Sequence, residues 1–257
     1  MSQYLDELFS LRGRTAVVTG GSSGIGGAIA DALCRAGAET VLVARDEARL
    51  EERTQRLVAE GGTASWIAAD LSSRDGTLSL VNTLRISGQE PDILVTAAAV
   101  NLRPPLGELT DDDWDLTMTV NLEAPHLLGQ RFGPGMAARG WGRIIHIASQ
   151  QSVRAFGNSG AYGVSKAGVA GLARSQAEAW SPNGVCVNAI APGFVRTPLT
   201  EAVFAEPGRA EAMARRTMIG RNGDPEDFAG LAVFLASNAS AYVTGQLLFL
   251  DGGFSAT

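Results

Sequence analysis

Hydrophobic residues gather in seven short runs along the chain, and patterns typical of helices separate almost all of these runs. The first run, TAVVT at 15–19, is mostly apolar, as expected of a parallel strand covered on both faces. Residues 46–60 instead place Leu and Val among charged residues at helical spacing. This alternation predicts an α/β fold, a parallel sheet with helices on both faces. The predicted strands are residues 15–19, 40–44, 64–68, 92–96, 143–148, 185–190 and 246–250.

Length and composition are consistent with one globular domain. The 257 residues are 45% hydrophobic and 19% charged, and no linker, low-complexity segment or repeat divides them. We therefore expect a single domain over residues 1–257. The one long connection, residues 193–222, is expected to be a lid or a binding loop.

Charge, cysteines and histidines limit the partners that the chain is expected to have. The net charge of −6 gives no reason to expect nucleic acid or an anionic membrane. No apolar run approaches the ~20 residues that span a bilayer, and a signal-peptide pattern is absent from the first residues. Cys34 and Cys186 lie far apart among apolar neighbours, which favours free thiols in the reducing cytoplasm. His126 and His146 lack partners at metal-ligand spacing, so no metal site is expected.

A glycine-rich segment, TGGSSGIG at 19–26, follows the first strand and opens the first helix. Its glycines allow a tight turn and let a phosphate approach the backbone N–H groups at the helix N-terminus. The spacing G-x-x-x-G-x-G differs from the commoner G-x-G-x-x-G, but the strand before it and the helix after it favour a dinucleotide-binding loop over a merely flexible turn. The residues expected to bind the cofactor here are Gly20, Ser22, Ser23, Gly24, Ile25 and Gly26.

The end of the second strand bears on the choice between NADP(H) and NAD(H). An acidic residue there bonds the free ribose hydroxyls of NAD(H), whereas an arginine accommodates the 2′-phosphate of NADP(H). This chain has Ala44 followed by Arg45, which favours NADP(H). NAD(H) stays possible, because Asp46 follows directly. Asp70 closes the third strand and suits a bond to the adenine amino group, and Leu71 beside it belongs to the same predicted cofactor site.

Tyr162 and Lys166 lie four residues apart in AYGVSKA, so a helix would place them on one face. Lys166 is also the only lysine of the chain. Ser149 ends the predicted strand segment RIIHIAS, and Asn121 lies in TVNLEAP. Together with the glycine-rich segment, NAIAPGFVRTP at 188–198 and the C-terminal region at 223–253, these motifs resemble the short-chain dehydrogenase/reductase family over nearly the whole chain.

The resemblance implies a Rossmann-type doubly wound domain, with a dinucleotide-binding part at about 12–148 and a catalytic and substrate-binding part at about 149–257. It also implies a homotetramer. It places Pro192, Gly193, Val195 and Thr197 against the cofactor, with Phe194, Val195 and Thr197 at the nicotinamide ring and its carboxamide.

The implied activity is hydride transfer between a nicotinamide cofactor and a small alcohol or ketone. A free tyrosine, with a pKa of about 10, is a poor base at neutral pH, and a neighbouring ammonium favours its phenolate. By resemblance, Tyr162 is the general acid/base, and Lys166 supplies the charge and holds the ribose. Ser149 would hydrogen-bond the substrate oxygen, and Asn121 would hold a water of a proton relay.

One segment departs from the family pattern. The family usually has Asn-Asn-Ala-Gly after the fourth strand, whereas this chain has TAAA at 96–99. The change from Gly to Ala99 is expected to narrow the space beside the cofactor and to affect cofactor affinity more than chemistry.

The substrate is the least determined part of the prediction. Arg103, Gln151 and Arg154 lie where a substrate pocket is expected, and arginines can hold a carboxylate bidentately. The chain looks most like the sugar-acid branch of the family, the gluconate 5-dehydrogenases and their relatives. The alternative interpretation is that these arginines face solvent or a subunit interface. A 3-oxoacyl-carrier-protein reductase, a general ketone reductase and a cofactor-binding regulator without turnover stay open as functions.

Overall fold

A computed structural model describes residues 3–256 of the chain. Its seven strands lie within two residues of the predicted ones at each end. The strands are β1 Thr15–Thr19, β2 Glu39–Ala44, β3 Ala64–Ala68, β4 Ile93–Thr96, β5 Gly142–Ile147, β6 Val185–Pro192 and β7 Leu247–Leu250.

Helices alternate with the strands from one end of the described chain to the other. The helices are α1 Gln3–Phe9, α2 Gly24–Arg35, α3 Glu47–Ala59, α4 Arg74–Ile86, α5 Asp111–Met118, α6 Ala124–Ala138, α7 Gly160–Trp180, α8 Glu201–Ala205, α9 Arg209–Ala214 and α10 Ala229–Ala236. A π-helical turn, Thr119–Glu123, joins α5 to α6. The sequence pattern did not predict this turn.

The seven strands form one sheet in the order β3-β2-β1-β4-β5-β6-β7, and every neighbouring pair is parallel. The predicted doubly wound α/β architecture is therefore confirmed. The strand order changes direction between β1 and β4, and in such sheets ligands bind outside the carboxyl ends of the strands at this point.

Apolar side chains fill the space on both faces of the sheet. Along β1, Val18 belongs to one core with Leu33 of α2 and Leu235 of α10. Its neighbour Val17 belongs to the opposite core, which α4, α6 and α7 cover. Because successive side chains of a strand point to opposite faces, strands buried on both sides must be apolar at nearly every position, as these are.

Capping and turn residues set the start of α3 and the end of α2, the helices beside the glycine-rich segment. Asp46 caps α3 by accepting a hydrogen bond from the Arg49 N–H (3.1 Å), and this contact satisfies one of the free donors of the first turn. After α2, Gly37 adopts φ +101°, a conformation that glycine takes without strain.

The connection 193–222 is less irregular than predicted. It contains a 3₁₀ turn, Pro198–Thr200, and the short helices α8 and α9. Its two ends meet, because Val195 pairs with Gly223 in an isolated parallel bridge. Its action as a lid stays a prediction.

The sheet runs through both predicted parts of the chain, 12–148 and 149–257. The assignment of the chain to a single domain with those two functional parts stays a prediction.

None of the helices within residues 3–256 is long and apolar enough to span a membrane.

Candidate active site

A cavity of about 580 Å³ opens at the carboxyl ends of the strands, beside the point where the strand order changes direction. The residues predicted to bind the cofactor line it apart from Phe194, which packs against Phe156 and Phe254. Ser149 lines it as well. These residues are Gly20, Ser22, Ser23, Gly24, Ile25, Gly26, Arg45, Asp70, Leu71, Ser149, Tyr162, Lys166, Pro192, Gly193, Val195 and Thr197. The remaining predicted site residues, Asn121, Arg103, Gln151 and Arg154, lie outside this lining.

Gly20 and Gly26 of the glycine loop pack too closely against neighbouring backbone for a side chain. Gly20 has φ +70° and Gly24 has φ +55°. A Cβ atom on Gly20 would lie 2.8 Å from the Ala98 backbone nitrogen, and one on Gly26 would lie 2.5 Å from the Gly20 carbonyl oxygen. The first turn of α2 therefore lies at the cavity wall, with its free N–H groups and the positive end of the helix dipole. This arrangement fits the phosphates of a dinucleotide.

The residues after β2 place two arginines at the cavity. Arg45 and Arg49 both line it. The Asp46 carboxylate is occupied by its capping bond and by an ion pair with Arg49 Nε (3.2 Å). Within residues 3–256, no ion pair or hydrogen bond engages the Arg45 guanidinium. The sequence analysis did not predict that Arg49 lies at the cavity. Its position in the first turn of α3, just after Arg45, could have indicated it.

Ser149 follows β5 and caps a 3₁₀ turn. Its Oγ accepts a hydrogen bond from the Gln151 N–H (3.1 Å). The same turn is tied to α7, because Ser152 Oγ donates to the Lys166 carbonyl oxygen (2.7 Å). Tyr162 and Lys166 are both buried, one turn apart on α7. The structure therefore brings Ser149, Tyr162 and Lys166 together at the cavity.

Burial dominates the electrostatics of this cluster. Burial raises the pKa of Tyr162, while a side-chain hydrogen bond with Ser149 and the charge of Arg103 act in the opposite direction. Burial also lowers the pKa of Lys166 to about 8. The Lys166 ammonium donates a hydrogen bond to the Ile147 carbonyl oxygen (2.7 Å). The cluster therefore holds two titratable groups whose charged forms the protein destabilises.

Asn121 lies in the π-helical turn, a distortion common at functional sites. Its Nδ2 donates to the Val100 carbonyl oxygen (2.9 Å) and to Ser165 Oγ (3.1 Å), and its Oδ1 accepts from the Val100 N–H (2.9 Å). The buried amide thus joins the segment after β4 to α7, behind the cavity wall.

Arg103 lies between the segment after β4 and the loop that leads into α7. Its guanidinium donates to the Asn158 carbonyl oxygen (3.1 Å) and to the Gly157 carbonyl oxygen. Partial burial and the neighbouring charge of Arg209 lower its pKa, and the charge of Tyr162 acts in the opposite direction. No carboxylate within residues 3–256 forms an ion pair with Arg103.

The other two predicted substrate residues are engaged within the protein. Gln151 Oε1 accepts a hydrogen bond from Ser159 Oγ (2.8 Å). The Arg154 guanidinium donates to the Ser255 carbonyl oxygen, so this residue joins the loop after Ser149 to the C-terminal segment. Sequence position alone did not indicate these internal partners.

The unusual segment at 96–99 contributes both to the cavity and to the core. Ala97, Ala98 and Ala99 line the cavity. Thr96 Oγ1 lies 2.7 Å from His146 Nδ1, and His146 Nε2 lies 2.9 Å from Gln176 Oε1. Burial lowers the pKa of His146 to about 4, so at neutral pH the uncharged ring donates from Nε2 to Gln176 and accepts at Nδ1 from Thr96.

Comparisons with known proteins agree with this fold and site. A family model described as enoyl-(acyl carrier protein) reductase matches residues 20–255. Gluconate 5-dehydrogenase from Gluconobacter oxydans (strain 621H) is 37% identical over 249 residues, which are 97% of each chain.

Two solved structures share the fold closely. The proposed NAD(P)-dependent gluconate 5-dehydrogenase of Beutenbergia cavernae, with bound NADP, is 43% identical with a TM-score of 0.93, over 97% of this chain and 99% of that one. A gluconate 5-dehydrogenase from Burkholderia cenocepacia J2315, in complex with NADP and tartrate, is 34% identical with a TM-score of 0.93, over 98% and 99% of the two chains.

The chain belongs to the short-chain dehydrogenase/reductase family. It is an NAD(P)-dependent oxidoreductase of this type, similar over nearly its full length to gluconate 5-dehydrogenases. The predicted family, fold and reaction class are thereby confirmed.

Proposed function

We propose that the protein transfers hydride between NADP(H) and a carbinol carbon of a sugar acid such as gluconate. The observation that carries this proposal is the meeting of Ser149, Tyr162 and Lys166 at one wall of the cavity that begins at the glycine loop. A bound nicotinamide supplies or accepts the hydride, and the protein must then move a proton to or from the substrate oxygen.

Tyr162 is the proposed general acid/base. Its phenolate takes the proton of the alcohol during oxidation, and its hydroxyl gives a proton to the ketone oxygen during reduction. Ser149, which hydrogen-bonds Tyr162, also bonds the substrate oxygen and stabilises the charge that develops on it. Because burial alone makes the phenolate costly, positive charge nearby is needed to bring Tyr162 into a useful range.

Lys166 and Asn121 support the proton transfer. A pKa of about 8 leaves Lys166 largely charged at neutral pH but able to exchange its proton readily. In this proposal Lys166 holds the cofactor ribose and relays protons through a water at Asn121. Both N–H donors of the Asn121 side-chain amide are occupied. Such a water must therefore donate a hydrogen bond to the side-chain or the backbone carbonyl oxygen of Asn121.

The preference for NADP(H) rests on Arg45. Its guanidinium is without an ion pair in the described chain, and Ala44 presents no carboxylate to repel a phosphate. Asp46 is held by Arg49 and so is poorly placed to bond a ribose hydroxyl. Charge-assisted bonds to a 2′-phosphate by Arg45, and by Arg49 beside it, support NADP(H).

The preference for an acid substrate rests on Arg103. Its guanidinium is partly buried, lies near Arg209 and within electrostatic reach of Tyr162, and has no carboxylate partner in the described chain. Two of its five N–H donors bond backbone carbonyls, which leaves donors for a carboxylate. Gln151 and Arg154 then act as supports of the neighbouring loops, and direct contact with the substrate is assigned to Arg103.

A 3-oxoacyl-carrier-protein reductase is the second candidate, and the solved structure of such an enzyme from Agrobacterium tumefaciens, 37% identical to this chain, favours it. Steady-state assays of NADP(H) turnover separate the two candidates. Gluconate is compared with gluconamide, in which an uncharged amide of similar size replaces the carboxylate, and with a short 3-oxoacyl thioester. The proposal requires gluconate to have the highest kcat/KM. A higher kcat/KM for the thioester would favour the carrier-protein reductase instead.

We further infer that the protein is a single-domain homotetramer of the cytoplasm. Free Cys34 and Cys186 support a reducing compartment. Exposed apolar side chains on α5 and α7, Trp114 and Val164, and Phe249 on the edge strand β7 support contacts with further copies. Light scattering of the purified protein tests this assembly, and a monomer or dimer mass would contradict it.

A further inference from the structure

Arg53 of α3 contacts the glycine loop without lining the cavity. Its Nε donates a hydrogen bond to the Ser22 carbonyl oxygen (3.3 Å), and its Nη1 forms an ion pair with Asp31 Oδ2 of α2 (2.8 Å). Its side chain is 22% exposed. The guanidinium therefore joins the loop to both helices that flank it.

Gly27 makes room for this guanidinium. A Cβ atom at position 27 would lie 2.7 Å from Arg53 Cζ and 2.9 Å from one of its terminal nitrogens. The planar group therefore rests directly on the backbone of α2. Any side chain at position 27 would push it away from the Ser22 carbonyl.

The bond to Ser22 orients the next peptide unit. A trans peptide is planar, so the Ser22 carbonyl and the Ser23 N–H point in opposite directions. Because Arg53 holds that carbonyl, the Ser23 N–H is directed away from Arg53. No protein acceptor within residues 3–256 bonds this N–H, and both Ser22 and Ser23 line the cavity. A free N–H at a helix N-terminus is what a phosphate oxygen accepts.

We propose that Arg53 is a positioning residue for the cofactor phosphates, which acts by holding the Ser22–Ser23 peptide. The inference rests on the proposed role of residues 20–26 as the cofactor loop. Because the pyrophosphate is common to both cofactors, Arg53 affects NAD(H) and NADP(H) alike. This separates it from Arg45, whose effect depends on the 2′-phosphate.

Arg56 provides a matched control. It bonds the same oxygen of Asp31 (2.5 Å), but it makes no hydrogen bond to Ser22 in the described structure. Arg56→Met therefore removes one cation from Asp31 and leaves the loop carbonyl bonded. Arg53→Met removes a cation from Asp31 and the loop contact together, while its long apolar stem still covers the backbone.

The test is titration of NADP(H) and NAD(H) into each variant by calorimetry. For Arg53→Met we expect the Kd of both cofactors to rise about tenfold, in keeping with the loss of the charge-assisted hydrogen bond from the Ser23 N–H to a phosphate. Arg56→Met should change both within about twofold, because it leaves the Ser22 carbonyl bonded to Arg53. At saturating cofactor, kcat of Arg53→Met should match the wild type.

Gly27→Ala supplies an independent route to the same displacement. It should raise both Kd values as Arg53→Met does, and the double variant should show no further rise. Where Arg53→Met fails to fold, Gly27→Ala decides: a rise for both cofactors supports the inference, and unchanged Kd values overturn it.

Ser23→Asp separates this inference from the proposed function. Asp is a good N-cap, so α2 is retained, but its carboxylate would repel phosphates. If Ser23→Asp binds both cofactors normally, the assignment of the loop fails. If Ser23→Asp loses affinity while Arg53→Met binds like the wild type or like Arg56→Met, only the role of Arg53 is overturned.

Discussion

Lys166 Nζ lies 5.8 Å from the centroid of the Tyr162 ring, one turn further along the same helix. The two residues are the most deeply buried titratable pair of the cavity wall. The helix spacing that first singled them out therefore places two titratable groups side by side, and burial is the main cause of the pKa shift of each.

The first prediction concerns the protonation of Lys166. Because it is the only lysine, selective ¹³C labelling of lysine gives one side-chain signal, whose pH titration reports this group alone. We expect a midpoint at about pH 8, below the usual value, because burial disfavours the ammonium. A midpoint near the ordinary lysine value of about 10.4 would contradict the burial argument.

The second prediction concerns cofactor choice. Arg45→Ala should weaken NADP(H) binding by about 1.5–3 kcal/mol, the contribution of hydrogen bonds to charged groups, and leave NAD(H) binding unchanged. Fluorescence titration of both cofactors measures this. Equal affinities in the wild type, or equal losses in the variant, would be inconsistent with a 2′-phosphate contact. Arg35, which pairs with Glu60 away from the cavity, offers a control substitution to Ala.

The third prediction concerns the substrate carboxylate. Arg103→Ala should lower kcat/KM for gluconate selectively and change that for gluconamide far less, because only gluconate has a charge to pair. Since Arg103 also bonds the loop before α7, Arg103→Gln, which can still donate to those carbonyls, is the matched variant. An equal fold decrease in kcat/KM for both substrates would instead show that Arg103 only stabilises the loop.

The sequence was most informative where one physical requirement dominates. All seven strands are short, mostly apolar runs, so all seven were located. β6 extends past its predicted end because Pro192 still pairs with Leu250 of β7, a partner the local pattern does not contain. The short helices α8 and α9 were not predicted, since helices of this length depend on tertiary contacts more than on propensity.

The site was predictable where backbone conformation or fixed spacing carries the function, as in the glycine loop and the Tyr162–Lys166 pair. It was less predictable for long side chains. Sequence position placed Arg103 and Arg154 near the site, but whether a guanidinium meets a ligand or a backbone carbonyl depends on loop packing. The π-helical turn at Asn121 also lies outside any 3.6-residue pattern.

The fourth prediction concerns stability in acid. The pKa of His146 is about 4 in the folded protein and about 6.5 in the unfolded chain. Between these values the unfolded state binds more protons, so stability is lost as the pH falls from about 6.5 to about 4, by about 3 kcal/mol in total. In His146→Gln, which cannot titrate, this loss should vanish. Denaturant unfolding of both proteins across this range measures the difference, and a difference independent of pH would contradict the assignment.

The most direct test of the whole account is turnover of gluconate with NADP by Tyr162→Phe, measured by nicotinamide absorbance alongside cofactor affinity. The substitution removes only the hydroxyl proposed to move the proton, so we expect kcat to fall by about 10²–10⁴-fold while the Kd for NADP stays at the wild-type value. A variant that keeps more than about a tenth of the wild-type rate would contradict the role of Tyr162 as general acid/base.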